Sequence, residues 1–263
     1  MFSNISKYSW FSFVPFMTLG VLTLALFGLG IIPVWYLFFT FVGWILISGL
    51  GVAVGYHRIF SHNTHTNLPP WKENLILFFG ILSGQGSSIM WTAIHRGYHH
   101  RHADTEKDLH SPVHGIYHAF FGWTITITEN NPVINLKYSA NLLRKPNHVW
   151  FHKHNMKILW GVPLLVSLID WKLSLAMCCL PTALSLLQDN LINIFGHVKG
   201  LIGYRNFETN DMSQNNIVLG YIAWGQGWHN NHHYSPSSYD FGRGVSGKWW
   251  EWDPCNIFLP FLK

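Results

Sequence analysis

The chain has 263 residues, 49% of them hydrophobic and only 11% charged, where a soluble domain carries about 25% charged residues. This excludes an ordinary soluble globule and a disordered chain alike. The net charge of +5 rests on few ionisable groups and reads as loop charge beside a membrane, not as a nucleic-acid footprint.

No Asp, Glu, Lys or Arg occurs between Tyr8 and Tyr56. A span needs about 20 residues, so this block predicts two, broken at Gly30 and Pro33, over 13–32 and 34–56. Only Lys7 precedes the first and no small-residue cleavage site follows it, so a retained span is expected in place of a signal peptide. The stretch 74–94 weakens at Ser83-Gly-Gln-Gly-Ser-Ser and predicts a buried or interfacial helix. A second apolar region, 158–195, is divided by Asp170, Trp171 and Lys172. Its later part predicts a span over 173–195. Its earlier part crosses only if Lys153 and Lys157 snorkel, giving 153–172. Four spans put both termini and the segments 57–152 and 196–263 on one side. Of the 17 Lys and Arg residues, 16 then share that side, which the positive-inside rule makes cytoplasmic. The chain reads as one domain over 1–263, without internal repeats. Cys178, Cys179 and Cys255 form no disulfide framework and read as buried free thiols, with the polar segments in a reducing compartment.

Seventeen histidines outnumber twelve acids, an excess that needs a chemical explanation. Three clusters stand at the ends of predicted spans: HRIFSH (His57 to His62), HRGYHH (His95 to His100) and HNNHH (His229 to His233). His197 stands alone after the last span, four residues beyond Asn193. On helices, His95 and His99 share a face, as do His229, His232 and His233. Neighbours such as His99 and His100 diverge by about 100°, so one can serve one metal and its neighbour another. His57 and His62, five apart, fit one face poorly and are expected to straddle a helix end. Paired boxes plus outlying singles suggest a dinuclear centre. Structural zinc sites need four ligands and usually some cysteine, so redox-active iron is the better reading, although all-histidine ligation departs from carboxylate-rich di-iron bundles. His65, His102, His110, His114, His118, His148, His152 and His154 read as surface or core filler.

With these boxes in this order, the chain resembles the membrane fatty-acid desaturases, specifically the stearoyl-CoA (delta-9) branch. The resemblance runs from about Val34 to Pro236. It includes DTEKD with HSP after the second box, the Asn193/His197 pair, and GYRNFETND before GWHNNHH. It implies an all-α integral membrane protein: four transmembrane helices and a cytosolic helical cap holding a histidine-rich di-metal centre. The metal ligands it implies are His57, His62, His95, His99, His100, His197, His229, His232 and His233, with Asn193 acting through water. Gln85 and Trp91 stand where the family bends its acyl chain. Gly49 and Ile45, on the helix entering the first box, would line the closed end of the tunnel. Asp189 takes a place where animal members carry Thr. The implied activity is O2-dependent formation of a cis double bond in a long acyl chain by two iron ions, with zinc substituting in overexpressed protein. No general base beyond the metal ligands is implied. Electrons would come from a ferredoxin or a cytochrome b5-type protein, and the membrane would be a bacterial inner membrane or the endoplasmic reticulum.

Several positions depart from the pattern. The second box has three residues before its double histidine, where animal members have two. Leu109 replaces a common proline, and Gln226 stands where Glu is frequent. Ala93 and Ile94 replace the Arg–Asp pair that helps hold CoA, which leaves the carrier open among CoA, acyl carrier protein and intact lipid. A histidine-box membrane hydroxylase is the nearest alternative. A metal transporter or haem protein would place ionisable groups inside the spans, and these hold almost none.

Overall fold

The computed structural model describes residues 5–125 and 134–263; residues 126–133 of the expected cytosolic segment lie outside that description. The described secondary structure is helical, with one isolated bridge between Tyr204 and Asn215. The helices that place the site are α1 (Ile5–Gly28), α2 (Val34–Ser61), α3 (Pro70–Leu82) and α4, which starts as Ser88–Ile94 and runs on through His102. After these come α5 (Pro146–Ile169), α6 (Trp171–Phe195), α7 (Ile217–Ile222) and α8 (His229–Tyr234). Among the described residues, three helical stretches are long and apolar enough to cross a membrane: Trp10–Gly28, Val34–Ser61 and Trp171–Phe195.

The boundaries differ from those expected in instructive ways. α1 stops at Gly28, because Gly30 takes a positive φ of 69° and Pro33 starts the next helix. α2 does not stop at Tyr56; it carries His57 inside it and ends at Ser61. α5 begins at Pro146 and ends at Ile169, with Asp170 between it and α6. The Asp170 carboxylate accepts from the backbone N–H groups of Lys172 (2.8 Å) and Leu173 (3.3 Å), satisfying donors that a helix start leaves free. Its other oxygen accepts from the Tyr36 hydroxyl at 2.5 Å. The α1–α2 and α5–α6 turns are thereby tied together at one end of the bundle.

The stretch 74–94 is not one helix. α3 ends at Leu82, a turn with Gly84 and Gly86 at positive φ follows, and Ser87 caps α4 by accepting from Met90 N. α3 lies directly on α2: a Cβ added at Gly51 would meet the backbone of Phe79 and Gly80. Small residues allow such contact between membrane helices. The turn between α3 and α4 is polar but satisfied within the protein. Ser83 Oγ donates to Gly80 O (2.6 Å), and the Gly86 carbonyl accepts from Tyr56 OH (3.1 Å).

Candidate metal centre and acyl cavity

Nine histidines converge into two groups. In one, His57, His62, His95, His100 and His232 each offer a ring nitrogen within 4.8 Å of all the others. In the other, His99, His197, His229 and His233 do the same. Adjacent histidines do divide between groups: His99 from His100, and His232 from His233. His95 and His99, expected to share a face, lie side by side with ring centres 5.5 Å apart yet join different groups.

Helix winding explains the grouping. α2 is wound with wide π-type turns over Ile45–Ser61, and His62 N donates to His57 O (3.1 Å). α4 opens in the same way over His95–His99, with His100 N donating to His95 O. An i→i+5 bond stacks residues five apart as an α-turn stacks residues four apart. His57/His62 and His95/His100 therefore each meet, although a spacing of five fits an α-helix face poorly. His229 and His233, four apart on α8, meet without this device, their Nε2 atoms 3.1 Å apart.

The Nε2 atoms face one another. His57 and His100 lie 2.9 and 2.8 Å from His232, and His62 lies 2.9 Å from His95. In the second group, His197 lies 2.8 Å from His229, and His99 lies 3.2 Å from His233. With metal–nitrogen bonds of about 2.0–2.1 Å, ligands at right angles stand about 3 Å apart. The donor set fits two metal ions. Burial pushes the rings of His95, His100 and His232 well below the usual imidazole range and His62 down to about 3, so these rings are neutral, the form that ligates metal.

The outer nitrogens are held unequally. His99 Nδ1–H donates to Asp108 (3.0 Å), His197 Nδ1–H to Asp104 (3.1 Å) and His233 Nδ1–H to Asp211 (2.7 Å). Such bonds fix the tautomer and turn Nε2 inward. In the five-histidine group, His57 Nδ1–H donates to the neutral amide oxygen of Gln226 (3.0 Å), whose nitrogen donates to Asp189 (3.3 Å). Burial opposes ionisation of Asp108 and Asp211, yet the neighbouring imidazoles hold both carboxyls far below the usual range. Composition alone drew no attention to these aspartates. Asp104, Asp108 and Asp211 lie in the DTEKD and ETND stretches, which entered only as pattern.

Third-box positioning was missed as well. Asn230 and Asn231 are fully buried. Asn230 Oδ1 accepts from Asn206 N (2.8 Å) and Phe207 N (2.9 Å). Asn231 donates to Glu251 (2.7 Å), which also accepts from Tyr204 OH (2.6 Å). Arg58, adjacent to His57, is equally buried. It donates to Asp253 (2.7 Å) and lies 3.9 Å from the centre of the Phe241 ring. Phe241 in turn packs on His232, with ring centres 4.1 Å apart. The C-terminal segment is thus bolted to the first and third boxes.

His110, expected as filler, has more specific surroundings. It is buried, lies 3.6 Å from Asp108, and forms a third potential ligand group with His99 and Asp108. His148 is core, bonded to Ser88 and Glu73 at 2.8 and 2.9 Å. The other single histidines are part-buried or exposed, as expected.

A cavity opens onto His57, His95, His99 and His229. Its other walls include Phe13, Gln85, Met90, Trp91, Ile94, Leu186, Asp189 and Asn193. Trp91 Nε1 donates to Gln85 (2.9 Å), and Gln85 donates to Ser185 Oγ (3.2 Å), so the polar wall is fixed. Asn193 Nδ2 donates to Ala119 O (3.2 Å). Gly49 and Ile45 are not on this wall. A Cβ at Gly49 would stand 3.0 Å from the Trp224 ring and 3.2 Å from Phe258, and Ile45 packs against the core around Leu50 and Val54. The tunnel-end role expected for them is therefore carried by no contact with this cavity, and at Gly49 the neighbouring space is taken by Trp224 and Phe258.

A helical membrane bundle with nine clustered imidazoles beside an apolar cavity belongs to the histidine-box class of membrane proteins. The chain is a member of the fatty acid desaturase family, whose sequence profile matches residues 32–239. It is 31% identical to a probable chloroplastic lipid desaturase of Arabidopsis thaliana, over 87% of this chain and 62% of that protein. Delta-9 acyl-lipid desaturase 2 of the same plant is 30% identical, over 87% of this chain and 70% of that one. The sn-1 stearoyl-lipid 9-desaturase of Anabaena variabilis is 26% identical, over 83% and 77%. The chain therefore spans less than two thirds of the first of these relatives.

Proposed function

We propose that the chain is an O2-dependent acyl-lipid desaturase that introduces a cis double bond, at the delta-9 position, into a long saturated chain. The observation that carries this reading is the convergence of nine imidazoles in two groups, with His57 and His95 of one and His99 and His229 of the other lining a cavity that also has apolar walls. Two iron ions, when bound, would supply the redox chemistry: one hydrogen is lost from each of two adjacent carbons, and O2, with two electrons from a ferredoxin or cytochrome b5-type donor and two protons, leaves as two waters. His57, His62, His95, His100 and His232 would hold one ion, and His99, His197, His229 and His233 the other. Asn193, beside the second group, would reach its ion through water.

The protein's part is placement. Gln85 and Trp91, bonded to each other on the wall shared with His57 and His95, would set the bend of the acyl chain. Leu186, Met90 and Phe13 offer apolar contact to a chain and exclude water. Asp189 sits on the same wall and orients Gln226. Lipid-linked substrate is preferred to CoA because the relatives named above carry acyl-lipid or stearoyl-lipid names, and because Ala93 and Ile94 replace a charged pair.

We further propose that α5 is a fourth span and that the histidines face the cytoplasm. Leu164, Leu165, Leu168 and Ile169 on its second half are all exposed, as a lipid-facing surface would be, and its link to α6 is tied to the α1–α2 turn. Expression in a desaturase-deficient host, followed by lipid-class separation and mass spectrometry of the fatty acids, tests the reading. Products lacking two hydrogens and attached to glycerolipid are expected. Products gaining one oxygen would make the chain a hydroxylase.

A further inference from the structure

α7 follows the predicted boundary at residue 196, yet its surface is apolar where an aqueous helix would be polar. No Asp, Glu, Lys or Arg occurs between Asp211 and Asp240. Leu219 is buried beside Ile192, with Leu191 and Phe195 packed against them. The opposite face of α7 is also apolar: Ile217, Val218, Tyr221 and Ile222 are exposed, Val218 by 62%. A helix that is apolar all round belongs in an apolar medium.

Its position along the bundle is fixed by three hydrogen bonds. Gln188 Nε2 donates to the Ile222 carbonyl (2.6 Å), while Gln188 Oε1 accepts from Trp44 Nε1 (2.8 Å) and Ser48 Oγ (2.6 Å). Ser48 precedes His57 by nine residues, and Gln188 precedes His197 by nine. Along α6 the junction lies about 13 Å below His197, and along the more widely wound α2 it lies somewhat less far below His57. From the other end, Ser48 is about 21 Å beyond Val34 and Gln188 about 25 Å beyond Trp171, both inside a hydrocarbon core of about 30 Å. An aromatic and basic rim stands beside the helix: Tyr221 OH donates to the Trp250 carbonyl, Trp249 is 81% exposed, and Lys248 adjoins Trp250. Trp and Tyr collect at the membrane interface, with basic side chains snorkelling outward.

We propose that α7 is a re-entrant element immersed in the lipid leaflet on the histidine side, its exposed face in contact with acyl chains. Segment 196–263 is then not wholly aqueous: it leaves the membrane after α6, dips back at Ile217–Ile222, and returns to place His229 to His233. The charge-free face and its depth favour lipid over a protein partner. The inference rests on the reading of α1, α2 and α6 as spans.

Spin-label accessibility in phospholipid vesicles tests it. Cys178, Cys179 and Cys255 are buried, so a nitroxide can be directed to Val218→Cys. Leu22→Cys, on the exposed face of α1, serves as the lipid reference, and Glu208→Cys, whose side chain is 99% exposed, as the aqueous one. The ratio of oxygen to nickel-chelate collisions at Val218→Cys is expected to exceed that at Glu208→Cys several-fold and to approach that at Leu22→Cys. Ile217→Cys gives the same reading should Val218→Cys fail to fold. A ratio matching Glu208→Cys, with Leu22→Cys still lipid-like, overturns the immersion of α7 and leaves the spans intact. Aqueous ratios at both Val218→Cys and Leu22→Cys would overturn the membrane reading itself. Aqueous access at Val218→Cys that disappears when ferredoxin or cytochrome b5 is added would make the face a protein-docking surface.

Discussion

The two halves of the histidine cluster use one ligand type but are backed differently. The group containing His57 has five imidazoles, and the one outer bond described for it runs to a neutral amide, with the Asp189 carboxylate a further residue away. The group containing His99 has four imidazoles and three aspartates bonded directly to them. Fewer nitrogen ligands are offset by nearby negative charge. A divalent ion in the second group would be compensated by those carboxylates. One in the first would remain more cationic and more strongly oxidising. The chain thus builds two unlike sites from the same side chain.

The largest expected effect comes from removing a ligand of either group. His232→Ala and His99→Ala should each abolish double-bond formation while the protein still inserts, because buried ligands fixed by their neighbours have no substitutes. Fatty-acid analysis of the expressing cells, with metal analysis of the purified protein, checks this. Wild-type product from either variant would break the two-site reading.

A smaller effect separates the sites. Asp108→Asn should weaken retention of one metal ion by about 10–100-fold, measured by competition with a chelator. Gln226→Ala should weaken retention of the other ion less, since only a neutral acceptor is lost. Equal losses would erase the distinction drawn here. Asn231→Ala should act on both sites together. It leaves Glu251 short of a buried donor and should cost on the order of 2 kcal/mol, seen as a lowered unfolding temperature in detergent. Gly49→Ala, remote from both sites, should cost about 1 kcal/mol by crowding Trp224, with the chain-length profile of the product unchanged. A shift toward shorter products would return Gly49 to the acyl tunnel.

The clustered histidines were legible because imidazole is scarce in ordinary chains and its spacing survives in one dimension. Four of the predicted helix limits were close for a related reason: Gly30, Pro33 and Asp170 punctuate a charge-free background. What the sequence hid was set by packing between distant segments. Asp211 meets His233 only because residues 204–215 fold back on α8, and Asp253 meets Arg58 across nearly the whole chain. Gly49 looked like a gap in a tunnel wall, since nothing local shows that Trp224 and Phe258 already fill it. His110, a single histidine, gained its meaning from Asp108 two residues earlier, a pairing that could have been weighed from spacing alone.

The wide turns at His57–His62 and His95–His100 also bear on how such a site tolerates change in chain length. An α-turn presents ligands four apart at one point in space, and a π-turn presents ligands five apart at the same point. A residue inserted into the box is taken up as a local bulge, and the helix beyond it need not rotate out of phase. The three residues between His95 and His99 are held in such a wide turn. Gly97 lies within it, and any larger side chain there would strike the Tyr138 ring. The spacing within a histidine box is therefore a looser constraint than its number of ligands, provided the surplus residue is small and the helix can open by one hydrogen bond.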